Sequence, residues 1–322
     1  MKQEKSPLII LTGPTAVGKT ALSIRLAKIT DGEIVSADSM QVYRGMDIGT
    51  AKITKEEMQG IPHHLIDILD PKEPFDVVRF QKLAKEAILD IQNRGKLPVL
   101  TGGTGFYIQS VLYDIDFSEE EEEHEIRRRL EEQADAVGAE EMHRMLSEID
   151  PVSAKAIPPG NVKRVIRALE YYQKNGRQIS EHNAQQRMKD SAWNSFYFVL
   201  TDDRKILYER IDRRVEKMFE NGLVDEVSRL RNEGCTKDMI SMQGIGYRQV
   251  FDYLEGYASL KETMERIQKE TRHFAKRQLT WFRREKDVIW LDKQKYQCED
   301  AVLEEILERI HRNETEQNGS LL

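Results

Sequence analysis

The segment Leu8–Thr20 reads LIILTGPTAVGKT and decides the fold class. Its opening apolar run is typical of a buried strand, and Gly13–Thr20 matches the full G-x-x-x-x-G-K-S/T pattern of a phosphate-binding loop. The glycines let the loop backbone turn its N–H groups toward an anion, Lys19 reaches the terminal phosphates, and the Thr20 hydroxyl can ligate Mg²⁺. A helix follows and adds the positive end of its dipole. The segment therefore predicts a bound phosphorylated ligand.

Outward from this loop, the chain alternates between strands and helices. Further apolar runs predict strands at Glu33–Ala37, Leu97–Leu100, Phe196–Leu200 and Val288–Leu291. Helical spacing of apolar residues predicts a helix over Asp76–Arg94, and Gly95 stands where its C-terminal cap belongs. Strands separated by helices imply a parallel sheet covered on both faces. We expect an α/β fold with a P-loop core that resembles the nucleotide kinases.

The pattern changes between Ser118 and Asn194, where long charged helical stretches replace the apolar strands. We predict a helical insertion domain over 118–194 that divides a P-loop α/β core formed by residues 1–117 and 195–322. The segment Asn161–Lys189 contains seven Lys or Arg residues and two Glu, and the segment Arg266–Lys286 contains eight Lys or Arg residues and two Glu. Residues 119–123, in contrast, are all Glu. These basic segments can bind a polyanion on one face.

Composition excludes several classes of protein. Lys and Arg number 49 against 56 Asp and Glu, and the net charge of −7 argues against a general nucleic-acid binder. No apolar run approaches the roughly 20 residues of a membrane span. The N-terminal apolar stretch is too short for a signal peptide, so we expect a cytoplasmic protein. Cys235 and Cys298 are too few for a disulfide framework or a zinc site.

The loop alone leaves the reaction open. Hydrolases and kinases normally carry an apolar strand that ends in a metal-organising Asp, whereas Leu97–Leu100 runs into Thr101-Gly102-Gly103. The available carboxylate is Asp38, at the end of the other strand, where sites form in parallel sheets. The chain could be a small-molecule or nucleotide kinase with Asp38 as base, or a transferase whose loop holds a leaving pyrophosphate. A P-loop ATPase that binds nucleic acid is a third reading.

Several blocks of sequence together resemble the tRNA dimethylallyltransferases, also called tRNA isopentenyltransferases. They stand in family order from about residue 8 to 291 and comprise Asp38–Lys52, Ile61–Asp67, Gly102–Tyr107, Asn161–Glu170, Gly244–Gln249 and Thr271–Phe282. The C-terminal zinc-finger extension of eukaryotic members has no counterpart here, so the resemblance is to the bacterial form.

This resemblance implies a Mg²⁺-dependent prenyltransferase. The family transfers a dimethylallyl group from dimethylallyl diphosphate to N6 of adenosine 37 in tRNAs that read codons beginning with U, and releases diphosphate. The implied partner is the tRNA anticodon stem-loop, whose adenosine would be flipped into a pocket between core and insertion. No membrane partner is implied, and we expect a monomer.

The resemblance also implies roles for particular residues. By this resemblance, Asp38 accepts the proton of the attacking amine and Thr104 donates a hydrogen bond to the leaving oxygen. Lys19 stabilises the negative charge that develops on the leaving diphosphate. The implied diphosphate- or nucleotide-binding residues are Gly13, Pro14, Thr15, Ala16, Val17, Gly18, Lys19, Thr20 and Arg214, with Thr20 as the metal ligand. The implied tRNA-binding residues are Asp38, Ser39, Met40, Gln41, Thr104, Arg127, Lys163, Arg164, Arg167, Gly246, Tyr247, Arg248 and Gln249.

Two further groups of residues are candidates for binding, but we assign no step of the reaction to them. Arg272, Lys276 and Arg277 share a helix with Trp281, and they either touch tRNA or brace the pocket. His63-His64 resembles the start of a metal cluster, but adjacent histidines point in different directions and no cysteine accompanies them. We assign no chemistry to these histidines and expect no catalytic metal there.

Overall fold

A six-stranded sheet is the centre of the larger part of the fold. The computed structural model describes residues 5–117 and 124–319. The strands are β1 (Pro7–Thr12), β2 (Gly32–Ala37), β3 (His63–His64), β4 (Leu97–Gly102), β5 (Asn194–Thr201) and β6 (Val288–Asp292). They lie in the order β3-β2-β4-β1-β5-β6, and every neighbouring pair is parallel. The predicted parallel α/β sheet is confirmed.

The chain divides into two compact units, Met1–Leu112 with Trp193–Leu322, and Tyr113–Ala192. The first contains the sheet and nine helices among its described residues: α1 (Lys19–Ile29), α2 (Lys55–Met58), α3 (Val77–Asn93), α4 (Gly105–Leu112), α10 (Arg204–Glu220), α11 (Leu223–Asn232), α12 (Tyr247–Leu254), α13 (Leu260–Phe282) and α14 (Glu299–Gly319). The second contains α5 (His124–Val137), α6 (Ala139–Ile149), α7 (Pro151–Ala156), α8 (Val162–Asn175) and α9 (Ile179–Met188).

The second unit is helical throughout its described part and has its own apolar core. Leu130, Met142, Leu146, Val165 and Leu169 are buried in that core. The predicted insertion, residues 118–194, begins and ends a few residues later than this unit. The acidic run 119–123 lies outside the described residues.

Apolar runs located the strands well, and local capping located α3. Each predicted strand is present and extends one to three residues further, because hydrogen-bonding continues beyond the apolar run. Asp76 caps α3 by accepting from the Arg79 N–H at 2.8 Å, and Gly95 follows the helix with φ of 73°. The two-residue β3 was not predicted, since it carries no apolar run.

No helix in the described ranges combines the length and apolarity that a bilayer span requires.

A buried carboxylate at the beginning of β2 joins the sheet to α3. Glu33 is 2 % exposed and is paired with both guanidinium nitrogens of Arg94, while His64 Nε2 lies 2.8 Å from its Oε2. Hydrogen bonds from Arg94 are the main reason that the Glu33 pKa falls to about 2. Because the charged Glu33 is desolvated, the fold depends on its partners.

We expect Arg94→Ala to lower the free energy of unfolding by clearly more than the control variant does, because it leaves the buried Glu33 carboxylate without its guanidinium partner. The loss should be complete above pH 4.5 and should disappear as the pH falls to about 2, since protonated Glu33 gains nothing from the pair. Urea unfolding at several pH values measures it. Arg312→Ala, which removes an exposed pair with Glu308, is the control and should change the value by less than about 0.5 kcal/mol. Equal losses in both variants would contradict the assignment.

Candidate active site

The phosphate-binding loop connects β1 to α1 and has the curled backbone that the motif predicts. Ala16 and Gly18 both have left-handed φ, of 64° and 103°, and Gly18 is the N-cap of α1. A Cβ at Gly13 would lie 2.5 Å from the Leu200 carbonyl oxygen, so this position requires glycine. The loop therefore opens directly onto the N-terminus of a helix, where N–H groups and the helix dipole favour an anion.

Lys19 lies within this loop and folds back on it. Its Nζ donates to the carbonyl oxygens of Gly13 at 3.0 Å and Pro14 at 2.8 Å. Burial and the positive charge of Arg214 lower the Lys19 pKa to about 7, whereas the negative charge of Asp38 raises it. Arg214 Nη1 lies 3.5 Å from the Thr15 hydroxyl. Two cations and one carboxylate thus act on each other at the mouth of the loop.

Three strand ends meet at this point in one row of the sheet. Gly102 is the register partner of both Thr12 and Ala37, so the phosphate loop, Asp38 and the Gly103–Gly105 turn all leave the sheet side by side. The Thr12 hydroxyl donates to the Gly102 carbonyl at 2.6 Å. The Thr104 N–H bonds the Ala37 carbonyl at 3.3 Å, which places Thr104 next to the chain that carries Asp38.

Asp38 forms a turn and also presents a carboxylate to the site. Its Oδ1 accepts from the backbone N–H groups of Met40 at 2.9 Å and Gln41 at 3.3 Å. Within the described residues, Oδ2 has no hydrogen-bond partner. One oxygen of the Asp38 carboxylate therefore forms the turn, and the other is left for a ligand.

Gln278 ties the two loops together and was not predicted as a site residue. Its Oε1 accepts from the Thr15 N–H at 2.8 Å, and its Nε2 donates to the Gly103 carbonyl at 2.9 Å. The side chain belongs to α13 and is 5 % exposed. A polar residue on the buried face of an amphipathic helix was the available signal. The block Thr271–Phe282, quoted for its resemblance, contains it.

Comparison with known proteins identifies the family of the chain. The family model described as IPP transferase matches residues 41–285. The chain is 55% identical to the tRNA dimethylallyltransferase of Lachnoclostridium phytofermentans over 96% of its length and 98% of the relative's, and 49% identical to that of Bacillus subtilis over 91% and 92%. The chain belongs to the IPP transferase family.

Solved structures of the family share the fold. The full-length tRNA isopentenylpyrophosphate transferase of Bacillus halodurans superposes with a TM-score of 0.74 at 44% identity, covering 98% of this chain and 99% of that one. A eukaryotic dimethylallyltransferase, studied in crystals as it acts on tRNA, gives a TM-score of 0.77 at 31% identity, over 89% of this chain and 74% of that one.

In this member of the family, the predicted tRNA-binding residues fall into three places. Ser39, Met40 and Gln41 follow Asp38 and are half-buried, and Thr104 lies in the adjacent turn. The segment 246–249 lies at the beginning of α12, and the side chains of Tyr247 and Gln249 are buried there. The remaining residues lie on the helical unit: Arg127 on α5, and Lys163, Arg164 and Arg167 on α8.

The α8 cations occupy the polar face of an amphipathic helix. Lys163, Arg164 and Arg167 are exposed, while Val165 and Leu169 are buried in the core of the unit. Arg127 instead lies beside two glutamates, Glu131 at 3.3 Å and Glu170 at 3.7 Å, so part of its charge is compensated.

Two aspartates that were not among the predicted site residues also follow a strand of the sheet. The apolar strand β5 ends at Thr201 and is followed by Asp202 and Asp203. Asp202 accepts from Arg210 Nη1 at 2.7 Å and from Gln294 Nε2 at 2.5 Å, and Asp203 caps α10. Both carboxylates fix the start of the helix that carries Arg214.

The donor set at the loop fits a magnesium ion that is held jointly with a diphosphate. Thr20 is exposed in the first turn of α1, and the Asp38 carboxylate acts on the same site. Mg²⁺ usually takes one or two protein ligands and completes its shell with phosphates and water. The described residues contain no group of three His, Cys, Asp or Glu side chains suited to a metal. His63 Nδ1 bonds the Ile61 carbonyl at 2.8 Å, and His64 pairs with Glu33.

We expect diphosphate binding to take up a proton at about pH 8, where a lysine with a pKa near 7 is mostly neutral. An anion against Nζ favours the charged amine and raises its pKa, so uptake should vanish at about pH 6, where Lys19 is already charged. Calorimetry in buffers of different ionisation enthalpy measures the proton count.

The matched control is Lys19→Arg, whose guanidinium stays charged throughout. It measures the proton exchange of diphosphate itself, which is subtracted. An identical proton count in the two proteins at both pH values would show that the Lys19 pKa is not lowered in the free protein.

Proposed function

We propose that this chain transfers the dimethylallyl group of dimethylallyl diphosphate to N6 of adenosine 37 in tRNA, and releases diphosphate. The observation that carries the proposal is the row Thr12–Gly102–Ala37, at which the phosphate loop with Lys19 and the strand end with Asp38 lie on either side of the Thr104 turn. This arrangement supports a reaction in which cations hold an anion near a carboxylate that accepts a proton. Its relatives at 55% and 49% identity bear the name tRNA dimethylallyltransferase, which supports the same reaction.

The cationic end of the site suits a leaving diphosphate. As the bond between C1 of the prenyl group and the bridging oxygen breaks, negative charge grows on the diphosphate. Lys19 and Arg214 both lie at the phosphate loop, where their positive charges can stabilise that growing negative charge. Lys19 exchanges two loop carbonyls for phosphate oxygens when the diphosphate enters.

Asp38 and Thr104 serve the acceptor end. The N6 nitrogen attacks C1, the C–N bond forms as the C–O bond breaks, and Asp38 accepts the proton that the amine loses. The Thr104 hydroxyl donates a hydrogen bond to the leaving oxygen of the diphosphate. The base function belongs to Oδ2, since Oδ1 holds the turn to Met40 and Gln41.

Magnesium completes the proposed site. Thr20 and the diphosphate would hold the ion, with Asp38 close by. Bound there, Mg²⁺ neutralises charge on the diphosphate and so favours its departure.

The tRNA partner is proposed from the family and from the charged surface of the helical unit. An amine within a stacked helix cannot attack, so the adenosine must be flipped out of the anticodon loop. Exposed cations on α8 can contact phosphates and position the RNA without reading its sequence. We propose that the chain works as a monomer in the cytoplasm and modifies tRNAs that read codons beginning with U.

A transfer assay tests the proposal. Labelled dimethylallyl diphosphate, Mg²⁺ and unmodified tRNA should give labelled tRNA, and digestion should locate the label in N6-isopentenyladenosine. ATP is offered in a parallel reaction. Phosphate release from ATP without prenyl transfer would reject the proposal and favour a kinase or an RNA-binding ATPase.

Asp38→Asn should lower the rate constant for transfer by a factor of about 10² to 10⁴, because the amide keeps the Oδ1 turn but cannot accept a proton. Single-turnover kinetics with saturating tRNA measures the chemical step. The control is Asp300→Asn, which alters an exposed acid paired with Arg25. If the Asp38→Asn rate constant lies within about threefold of the native value, Asp38 is not the base.

The double variant Lys163→Ala/Arg164→Ala should weaken tRNA binding and reduce the slope of log K against log salt by about 1.5, since two phosphate contacts are lost. Filter binding from low to high salt gives the slope. Arg144→Ala is the matched control, because Arg144 is neutralised by Glu141 and Glu148 on its own helix. An unchanged slope in the double variant would place the tRNA elsewhere.

A further inference from the structure

A buried carboxylate outside the reaction centre holds together the two segments of the core that the sequence assigns to tRNA. Glu226 lies on α11 and is 6 % exposed. Its Oε2 accepts from the N–H groups of Asp47 at 2.8 Å and Ile48 at 2.7 Å, and its Oε1 accepts from Gly49 N–H at 3.1 Å and from the Tyr247 hydroxyl at 2.6 Å. Each oxygen thus takes two donors.

The charge of Glu226 is compensated in an unusual way. In the described ranges, no Lys or Arg side chain is paired with it, and three consecutive backbone N–H groups take the place of a cation. Such a row of amides makes an anion-binding concavity. Because a buried carboxylate is costly without its donors, the carboxylate and this backbone conformation require each other.

The 47–49 backbone is linked through Gln41 to Asp38. Gln41 Nε2 donates to the carbonyls of Thr50 at 3.2 Å and Ala51 at 3.3 Å, directly after the segment that Glu226 holds. The Gln41 N–H in turn donates to Asp38 Oδ1. Glu226 is therefore connected to the proposed base through hydrogen bonds and the short stretch of backbone between Gly49 and Ala51.

The Tyr247 hydroxyl brings the second segment to the same carboxylate. A Cβ on Gly49 would lie 2.6 Å from the Tyr247 ring, so the two segments pack at their closest possible approach. Met40 meets Gly244 in the same way, with 2.7 Å between the Met40 Cε and a Cβ at that glycine. One carboxylate fixes both segments, although they are about 200 residues apart in sequence.

We propose that Glu226 is a positioning residue for the tRNA substrate, which sets the relative placement of the 38–52 loop and the beginning of α12. It contacts neither the diphosphate loop nor the reacting atoms. This inference rests on the proposed function, since it concerns how the acceptor nucleoside is presented to Asp38. The donor site, built from Lys19, Thr15 and Gln278, is held by separate bonds.

Steady-state kinetics of Glu226→Gln tests the inference, because glutamine keeps the shape but points two N–H donors at groups that are themselves donors. We expect kcat/KM for tRNA to fall by about 10- to 100-fold while the KM for dimethylallyl diphosphate stays within about twofold. Binding stoichiometry for diphosphate counts the folded fraction and corrects for any loss of stability. Glu220→Gln, an exposed residue at the end of α10, is the matched control.

Tyr247→Phe supplies an independent readout. It removes one of the four donors, so alone it should lower kcat/KM for tRNA by less than Glu226→Gln, and in the double variant it should add almost nothing. Parallel losses for both substrates, or additive losses in the double variant, would show that Glu226 only stabilises the fold. A native protein that transfers no prenyl group to tRNA would instead reject the proposed function itself.

Discussion

The site depends on the row Thr12–Gly102–Ala37, in which three neighbouring parallel strands end at the same level. Parallel pairing fixes register, and register fixes where each following loop begins. The Thr104 turn, which follows β4, therefore leaves the sheet between the other two segments, about one strand spacing (about 4.8 Å) from the phosphate loop after β1 and from Asp38 after β2. A slip of one residue in β4 would move Thr104 away from Asp38 and reverse which face of the sheet its neighbours cover.

Beyond the sheet, the loops are irregular and are held by buried polar side chains from the C-terminal half of the chain. Gln278 on α13 bonds the phosphate loop and the Gly103 turn, and Glu226 on α11 bonds the 47–49 backbone. A buried polar group costs free energy unless every donor and acceptor is satisfied. These side chains therefore tolerate only one arrangement of the loops around them, and that selectivity orders the site.

Local patterns in the sequence predicted what local physics determines. The strands follow from apolar runs, the phosphate loop from its glycine and lysine spacing, and the ends of α3 from Asp76 and Gly95. Hydrogen-bond partners that are brought together only by the tertiary structure leave weaker signals in the sequence. Glu226 belongs to an ordinary amphipathic helix in the sequence, and its four donors come from residues that lie far from it along the chain.

The same reasoning applies to Asp202, which was not predicted as a site residue, and to Tyr247. Asp202 follows an apolar strand, but its function as a partner of Arg210 and Gln294 depends on a contact with a residue 92 positions away. Tyr247 belongs to a block that resembles the family's tRNA-contacting sequence, yet its hydroxyl is directed into the protein toward Glu226. Resemblance to the family singles out the segment, whereas the direction of each side chain within it is set by tertiary contacts that the sequence does not reveal.

The charges of the site are unevenly balanced. Two cations, Lys19 and Arg214, face one carboxylate, and burial makes the second positive charge costly enough to bring the Lys19 pKa to about 7. The free site thus contains fewer negative than positive groups, and the Lys19 amine donates hydrogen bonds to the carbonyl oxygens of Gly13 and Pro14. Under the proposed function, a diphosphate would supply the missing negative charge and draw the Lys19 amine away from the carbonyls. Lys19 would then be fully charged before the C–O bond breaks, when its charge stabilises the transition state most.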